Sequence, residues 1–373
     1  MMQSREATVC LWLSLVFPSS FVVHKYLGPN GTLAYAVLVA VAVALMPNLR
    51  RRPSERNVFW LALATFLLVA VVFLSIYPIA NTHDPTRGSD DDDAQNLGAM
   101  ALLVGQSPYT RITYLGNVLH QLPGAFVLAA PFVLLGTSAL QNVFWLPMFF
   151  LAAREEARDD RTTLELAWLV LVFSPTVMHQ VVTGTGYLSN TIYVLLGLRW
   201  LVRTAHRDLA AIAWGVTLAS RANFLFLVPL AFGSLRQHGG WRAATWATAL
   251  TCLTVASLTL PFYLHDSANF GPLEAANRLL RFDTLFSHAG VTLMAVMAAL
   301  SFGLSLTPMD RVALFRNCAL VQAFPVVTGV VLSTVQRGRL DLAYAPYGTF
   351  FSWFALMAWA ATATIRQGGE TRC

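Results

Sequence analysis

Charge is what this sequence has least of. Asp, Glu, Lys and Arg make up 12% of its 373 residues, about half the share that soluble domains carry. With 56% hydrophobic residues beside so little charge, a water-soluble surface is excluded for a chain of this size. Lysine is nearly absent: Lys25 stands alone, and the formal net charge of +6 is mostly arginine. We read the arginine excess as coding composition, and no nucleic-acid partner is expected. Cysteine carries no pattern either. Cys10, Cys252, Cys318 and Cys373 are scattered and form no Cys-x-x-Cys pair, so neither a thiolate metal site nor a disulfide framework is indicated. Internal repeats and low-complexity linkers are also missing.

What is abundant is the long apolar run. Such runs lie at roughly 8–27, 31–48, 57–79, 123–136, 138–153, 163–178, 188–203, 208–219, 221–235, 242–263, 287–306, 312–333 and 344–365. About 20 apolar residues span a bilayer as a helix, which satisfies its own backbone groups in lipid. The runs lack the two-residue alternation of a barrel strand. The expectation is an all-α polytopic membrane helix bundle of about 11–13 transmembrane helices, with residues 1–373 as a single integral membrane domain. The first run has no small-residue cleavage site and reads as a retained span.

Orientation follows the arginines. Arg50, Arg51, Arg52 and Arg56 flank a short loop, which the positive-inside rule makes cytoplasmic. Residues 80–122 then fall outside. Counting back from Arg236, His238 and Arg242 places the Ser220-Arg221 turn and the segment from His265 to Asp283 outside as well. The two counts disagree over Arg154–Arg161. The cause is residues 123–153, where Pro123, Pro131 and Pro147 interrupt two short runs, one of which crosses incompletely on this reading.

The extracytoplasmic segment 80–122 holds the sequence's most conspicuous polar island, Asp90-Asp91-Asp92-Asp93. A short helix over 94–104 should follow it along the membrane surface, ended by Gly105 and Pro108. Aspartates at a helix N-terminus suit its dipole, so simple capping is one reading. The other is chemical. Crowded carboxylates have raised pKa values, which suits a general base near neutral pH, and they attract a divalent cation. His83, His120 and His179 show no metal-ligand spacing.

A span, an acidic cluster, a short helix, Gly105-Gln106-Ser107-Pro108-Tyr109 and a Pro-led run ending at Gly136 follow one another here. That order resembles the first extracytoplasmic loop of the GT-C membrane glycosyltransferases, which use polyprenyl-phosphate sugars. Further likenesses are Pro123-Gly124, the Leu135-Gly136-Thr137-Ser138 ending and Ser174-Pro175. The family's pattern is often Asp-Glu; here the second residue is Asp. The resemblance covers residues 57–230 and implies a GT-C-like fold with short surface helices in the outer loops. It implies a sugar transfer from a polyprenyl-phosphate donor, with inversion, to a glycan, lipid or protein acceptor. Asp92, then Asp93 and Asp90, would be the catalytic carboxylates. Tyr109 and Asn96 would touch substrate. No cofactor is certain, and a divalent metal is an option the resemblance leaves open.

A leaving phosphate needs a cation. Arg221, flanked by apolar runs in Ser220-Arg221-Ala222, is the first choice on the default reading of such residues; Arg111 is the second. The amphipathic stretch with Arg278 and Arg281 reads as an interfacial helix, and Tyr344 and Tyr347 as an aromatic belt. A bacterial inner (plasma) membrane is the expected location. Two other classes stay open: a transporter or flippase of a lipid-linked or small polar substrate, and a non-catalytic membrane assembly subunit.

Overall fold

The computed structural model describes residues 2–45, 55–83 and 89–370, with the side chains of all these except 2–5, 55–56, 275–278 and 363–370. The orientation argument from Arg50, Arg51 and Arg52 falls outside the described residues, as do 84–88 of the outer loop. In chain order the helices are α1 (Met2–Leu45), α2 (Glu55–Ala80), α3 (Asp91–Leu103), α4 (Pro123–Leu134), α5 (Leu140–Ala157), α6 (Asp160–Phe173), α7 (Pro175–Thr183), α8 (Tyr187–Arg203), α9 (Arg207–Leu218), α10 (Val228–His265), α11 (Pro272–Leu280), α12 (Ala289–Ser305), α13 (Arg311–Arg337) and α14 (Thr349–Glu370). Among the described residues there is no strand, only one isolated bridge between Ile112 and Val118. The all-α expectation holds.

Among the described residues four helices are long and apolar enough to cross a membrane, or five if α6 and α7 count as one bent span. The sequence reading expected 11–13 crossings. Part of the difference lies in the breaks. α1 is two helices joined at Gly28, whose φ of 66° is left-handed, and α10 is two joined at Gly240, φ 80°. The run 8–27 and the described part of 31–48, to Leu45, are the two halves of α1; 242–263 and most of 221–235 fall in the two halves of α10. Another part lies in helix length. α4 has 12 residues, about 18 Å at 1.5 Å per residue, which falls short of a bilayer core. Neither α4 nor α5, the two helices within 123–153, is among the helices long and apolar enough to cross.

The chain forms two compact units, interleaved in sequence. The first comprises 1–76, 143–182 and 310–373. Here α14 is the central helix, with Trp353 and Phe354 fully buried and Phe149 set edge-on to Trp353, ring centroids 4.7 Å apart. Pro18 inside α1 has no N–H to give the carbonyl four residues back. That freed Ser14 oxygen accepts from Ser352 Oγ at 3.0 Å. α6 and α7 meet at an angle of 77°, because Pro175 cannot continue the helix through Ser174. Ser19 Oγ lies 3.3 Å from Ser174 Oγ, and Thr176 Oγ1 donates to Pro18 O at 2.8 Å.

The second unit comprises 77–142 and 183–309. Its apolar core gathers Ala94 and Ala99 of α3, Tyr109, Leu119 and Leu122 of the loop, Phe126 and Ala129 of α4, and Phe270. α3 packs closely on α4 because Gly98 has no side chain: a Cβ there would sit 2.3 Å from the Phe126 ring. The start of α4 hooks onto the end of α9. Leu122 N donates to Ser220 O at 3.0 Å and Gly124 N to Ala219 O at 2.7 Å. That hook sets the position of the next residue, Arg221.

Candidate functional site

The acidic run does not precede a surface helix; it begins one that is half buried. α3 starts at Asp91 rather than near Ala94, so three aspartates form its first turn and complement its dipole. Asp90 stands at the N-cap, yet its side chain makes no capping bond. Once inside a helix, successive side chains diverge by about 100°, and the four carboxylates go to different places.

Asp90 and Asp93, three apart, share a side. Asp90 Oδ2 accepts from Thr113 Oγ1 and from Asn117 Nδ2, each at 2.7 Å. Asp93 Oδ2 accepts from Tyr114 N at 2.9 Å. Together they fasten the 113–117 turn onto α3. Both were expected to be catalytic; their observed partners are loop anchors.

Asp92 points the other way and is 2% exposed. Tyr77 Oη donates to its Oδ2 at 2.9 Å and lies 2.7 Å from Thr137 Oγ1. The contact is possible because residue 184 is glycine at φ 71°: a Cβ there would come within 2.9 Å of Asp92 Cβ and 2.7 Å of Ala139 Cβ. Burial pushes the Asp92 carboxyl up to about 7, with the Asp91 charge adding to the rise; the Tyr77 hydroxyl and the Asp93 amide hold it lower than burial alone would. A carboxyl in that range can take a proton near neutrality.

Asp91 has the most complete set of donors. Its Oδ1 accepts from Arg221 Nη2 at 2.7 Å and from Gln121 Nε2 at 2.8 Å. Its Oδ2 accepts from Gly186 N at 2.6 Å and from Gln95 Nε2 at 3.2 Å. Asp91 and Arg221 are 10% and 14% exposed. Turned to satisfy its neighbours, Asn190 presents its amide oxygen to Arg221 Nε at 2.7 Å, and the guanidinium lies over the Tyr187 ring, 4.7 Å from its centroid. Gly186 leaves room for this contact: a Cβ would stand 2.0 Å from Gln95 Nε2 and push that amide aside.

Asp91 was the one aspartate that the sequence reading passed over. Two features mark it in retrospect. Gln95 follows it by four residues, one helical turn away. Gly184-Thr185-Gly186 also supplies two positions where a side chain can press against backbone. Arg221, expected as the cation for a leaving phosphate, here pairs with Asp91. The other expected contacts lie elsewhere. Tyr109 is a core residue, 5% exposed, its ring 4.7 Å from that of Phe270 and its hydroxyl given to Gln121 O at 3.0 Å. Burial pushes that phenol well above its usual range. Asn96 Oδ1 accepts from Ser138 N at 2.7 Å and so holds the Thr137-Ser138 turn. Arg111 is exposed and bonded to Gln106.

No three His, Cys, Asp or Glu side chains gather as metal ligands among the described residues. The divergence of the four aspartates around the helix is the reason they do not converge on one point. By fold the chain is an all-helical protein with several helices fit to cross a membrane. No protein-family model, no curated protein and no solved structure matches it.

Proposed function

We propose that this chain is a GT-C-type glycosyltransferase of a bacterial inner membrane, working on the extracytoplasmic side. It moves a sugar from a polyprenyl-phosphate donor to a glycan, lipid or protein acceptor with inversion. The observation that carries this reading is Asp92: a buried carboxyl, raised to about 7, one residue from a carboxylate–guanidinium pair. The acceptor hydroxyl gives its proton to Asp92 as its oxygen attacks the anomeric carbon. The bond from that carbon to the phosphate oxygen breaks, and polyprenyl phosphate leaves with the electron pair, its charge balanced by Arg221. Because Asp92 is 2% exposed, the acceptor reaches it only when the surrounding turns yield, so acceptor binding and loop movement are coupled.

The test is transfer activity in membranes for Asp90→Asn, Asp92→Asn and Asp93→Asn made singly. Asp92→Asn should lose about 10²–10⁴-fold, while the other two keep most of their activity. Full activity in Asp92→Asn ends its assignment as the base.

A second reading is a transporter or flippase of a lipid-linked substrate. The 77° break between α6 and α7 favours it, since broken spans expose backbone groups to a polar substrate. Binding of a polyprenyl-phosphate sugar without turnover, but with movement across vesicles, would select this reading.

A further inference from the structure

The four donors around Asp91 come from four separate parts of the second unit: α3 itself, the loop before α4, the turn after α9 and the backbone just ahead of α8. Four N–H groups converging on one carboxylate, one of them from a guanidinium and one at the start of a 17-residue helix, make a preorganised anion cradle. What fills it is a side chain of the same protein.

The Gln121 amide adds an independent observation. A carboxylate only accepts, so Gln121 must turn its NH₂ to Asp91. Its carbonyl oxygen, on the same amide at the edge of the cradle, is then buried and has no donor, in a residue 3% exposed. An orphaned buried acceptor of this kind is costly. A carboxylate cannot relieve it, because it has no hydrogen to give. A phosphate group can, when it carries an O–H of its own or on the sugar attached to it.

We propose that this cradle is a binding site for a phosphate group, and that Asp91 occupies it as an internal stand-in which the ligand displaces. Arg221 passes from Asp91 to the phosphate, the Gly186 amide and the Gln121 amide follow, and the Gln121 carbonyl accepts the ligand's hydroxyl. The Asn190 contact and the Tyr187 ring hold the guanidinium in place during the exchange. Binding is thereby a competition, and affinity is lowered by the fraction of time Asp91 holds the site. The choice of a phosphate as ligand rests on the proposed transferase, in which Arg221 balances the leaving phosphate, while the exchange with Asp91 concerns binding alone.

The experiment uses the full chain in detergent and two probes, inorganic phosphate and dodecyl phosphate. Thermal unfolding is followed for the unaltered protein, for Asp91→Ala and for Asp91→Ala combined with Arg221→Gln. Removing the internal competitor should make Asp91→Ala respond to phosphate in a dose-dependent way, by about 3 °C or more at saturation. The unaltered chain should respond less and the double variant not at all. A response to both probes means the phosphate group alone is recognised; a response to dodecyl phosphate only means a lipid-borne phosphate is required. If Asp91→Ala does not fold, titration calorimetry of Asp91→Asn with the same probes replaces it, with tighter binding expected than for the unaltered chain. No response to either probe, or an equal response in the double variant, overturns the proposal. Because no turnover is measured, a failed transferase assay leaves this result untouched.

Discussion

The two units bury polar groups in different currencies. The first uses hydroxyls and amides: Ser19 with Ser174, Thr176 on Pro18 O, Ser352 on Ser14 O, and Gln180 Nε2 on Thr349 Oγ1 at 2.8 Å. Each of these answers a local need, a carbonyl freed by proline or a helix broken at Ser174-Pro175. Both units bury carboxylates, but the first unit's Glu156 and Asp341 pair with exposed arginines, Arg311 and Arg337, whereas in the second Asp91 and Arg221 are both largely out of water and Asp92 is enclosed beside them. Interhelical hydroxyl bonds are ordinary adhesive between apolar helices, worth about 0.6 kcal/mol each. A buried ion pair is weak evidence for stability, since desolvation consumes most of its attraction. The contrast is therefore in the pairing: the first unit's buried carboxylates have exposed partners, whereas the second unit keeps a whole ion pair buried despite its cost.

That comparison can be broken in four ways. The largest effect should come from leaving one charge alone. Arg221→Ala strands Asp91 and should cost about 3–5 kcal/mol, read as a lowered midpoint of thermal unfolding in detergent. If the cost is no greater than that of a hydroxyl deletion in the first unit, the two units do not differ as argued. Next comes Gly186→Ala. Its Cβ would stand 2.0 Å from Gln95 Nε2 and 3.0 Å from Asp91 Oδ2, and the forced shift should cost about 1–3 kcal/mol. An unchanged midpoint would mean that the cradle is looser than its geometry.

Asp92 predicts a graded effect of pH. Burial raises its carboxyl to about 7 in the fold, against about 3.8 for an exposed aspartate. Between those values the folded chain binds the extra proton, so stability falls as pH rises through this window. Asp92→Asn still offers an oxygen to the Tyr77 hydroxyl but cannot ionise. The difference in midpoint between variant and parent should therefore grow in the variant's favour from pH 4 to pH 7; a difference constant with pH would refute the raised carboxyl. The smallest effect belongs to the first unit: Ser352→Ala should cost about 0.6 kcal/mol, measured the same way. A loss several times larger would show that the Ser14 carbonyl freed by Pro18 has no other means of satisfaction.

Much of this fold is legible along the chain. The breaks near Gly28-Pro29 and Arg236–Arg242 follow from helix-breaking and polar residues, and the Ser220-Arg221 turn from a cation between two apolar runs. The acidic run announces itself by contrast with its surroundings. Less legible is which helices have the length to cross, because an apolar run does not reveal where its helix stops. Equally hidden was the division of labour among four identical residues. Asp90 and Asp93 anchor a loop, Asp92 meets Tyr77, and Asp91 meets Arg221 across 130 positions of sequence.

Composition and periodicity were enough to decide that this protein is helical and apolar, since both depend on what each residue does in lipid or in a helix by itself. They were also enough to mark the segment where charge is tolerated and to pick out Arg221. Only the tertiary structure could separate Asp91 from Asp92. The two are chemically identical and adjacent, and what distinguishes them is the set of neighbours. A helical turn aims one at a guanidinium, two glutamine amides and a glycine N–H. It aims the other at a tyrosine hydroxyl and a second glycine. Those neighbours are brought from distant parts of the chain by packing, through close approaches at Gly184 and Gly186.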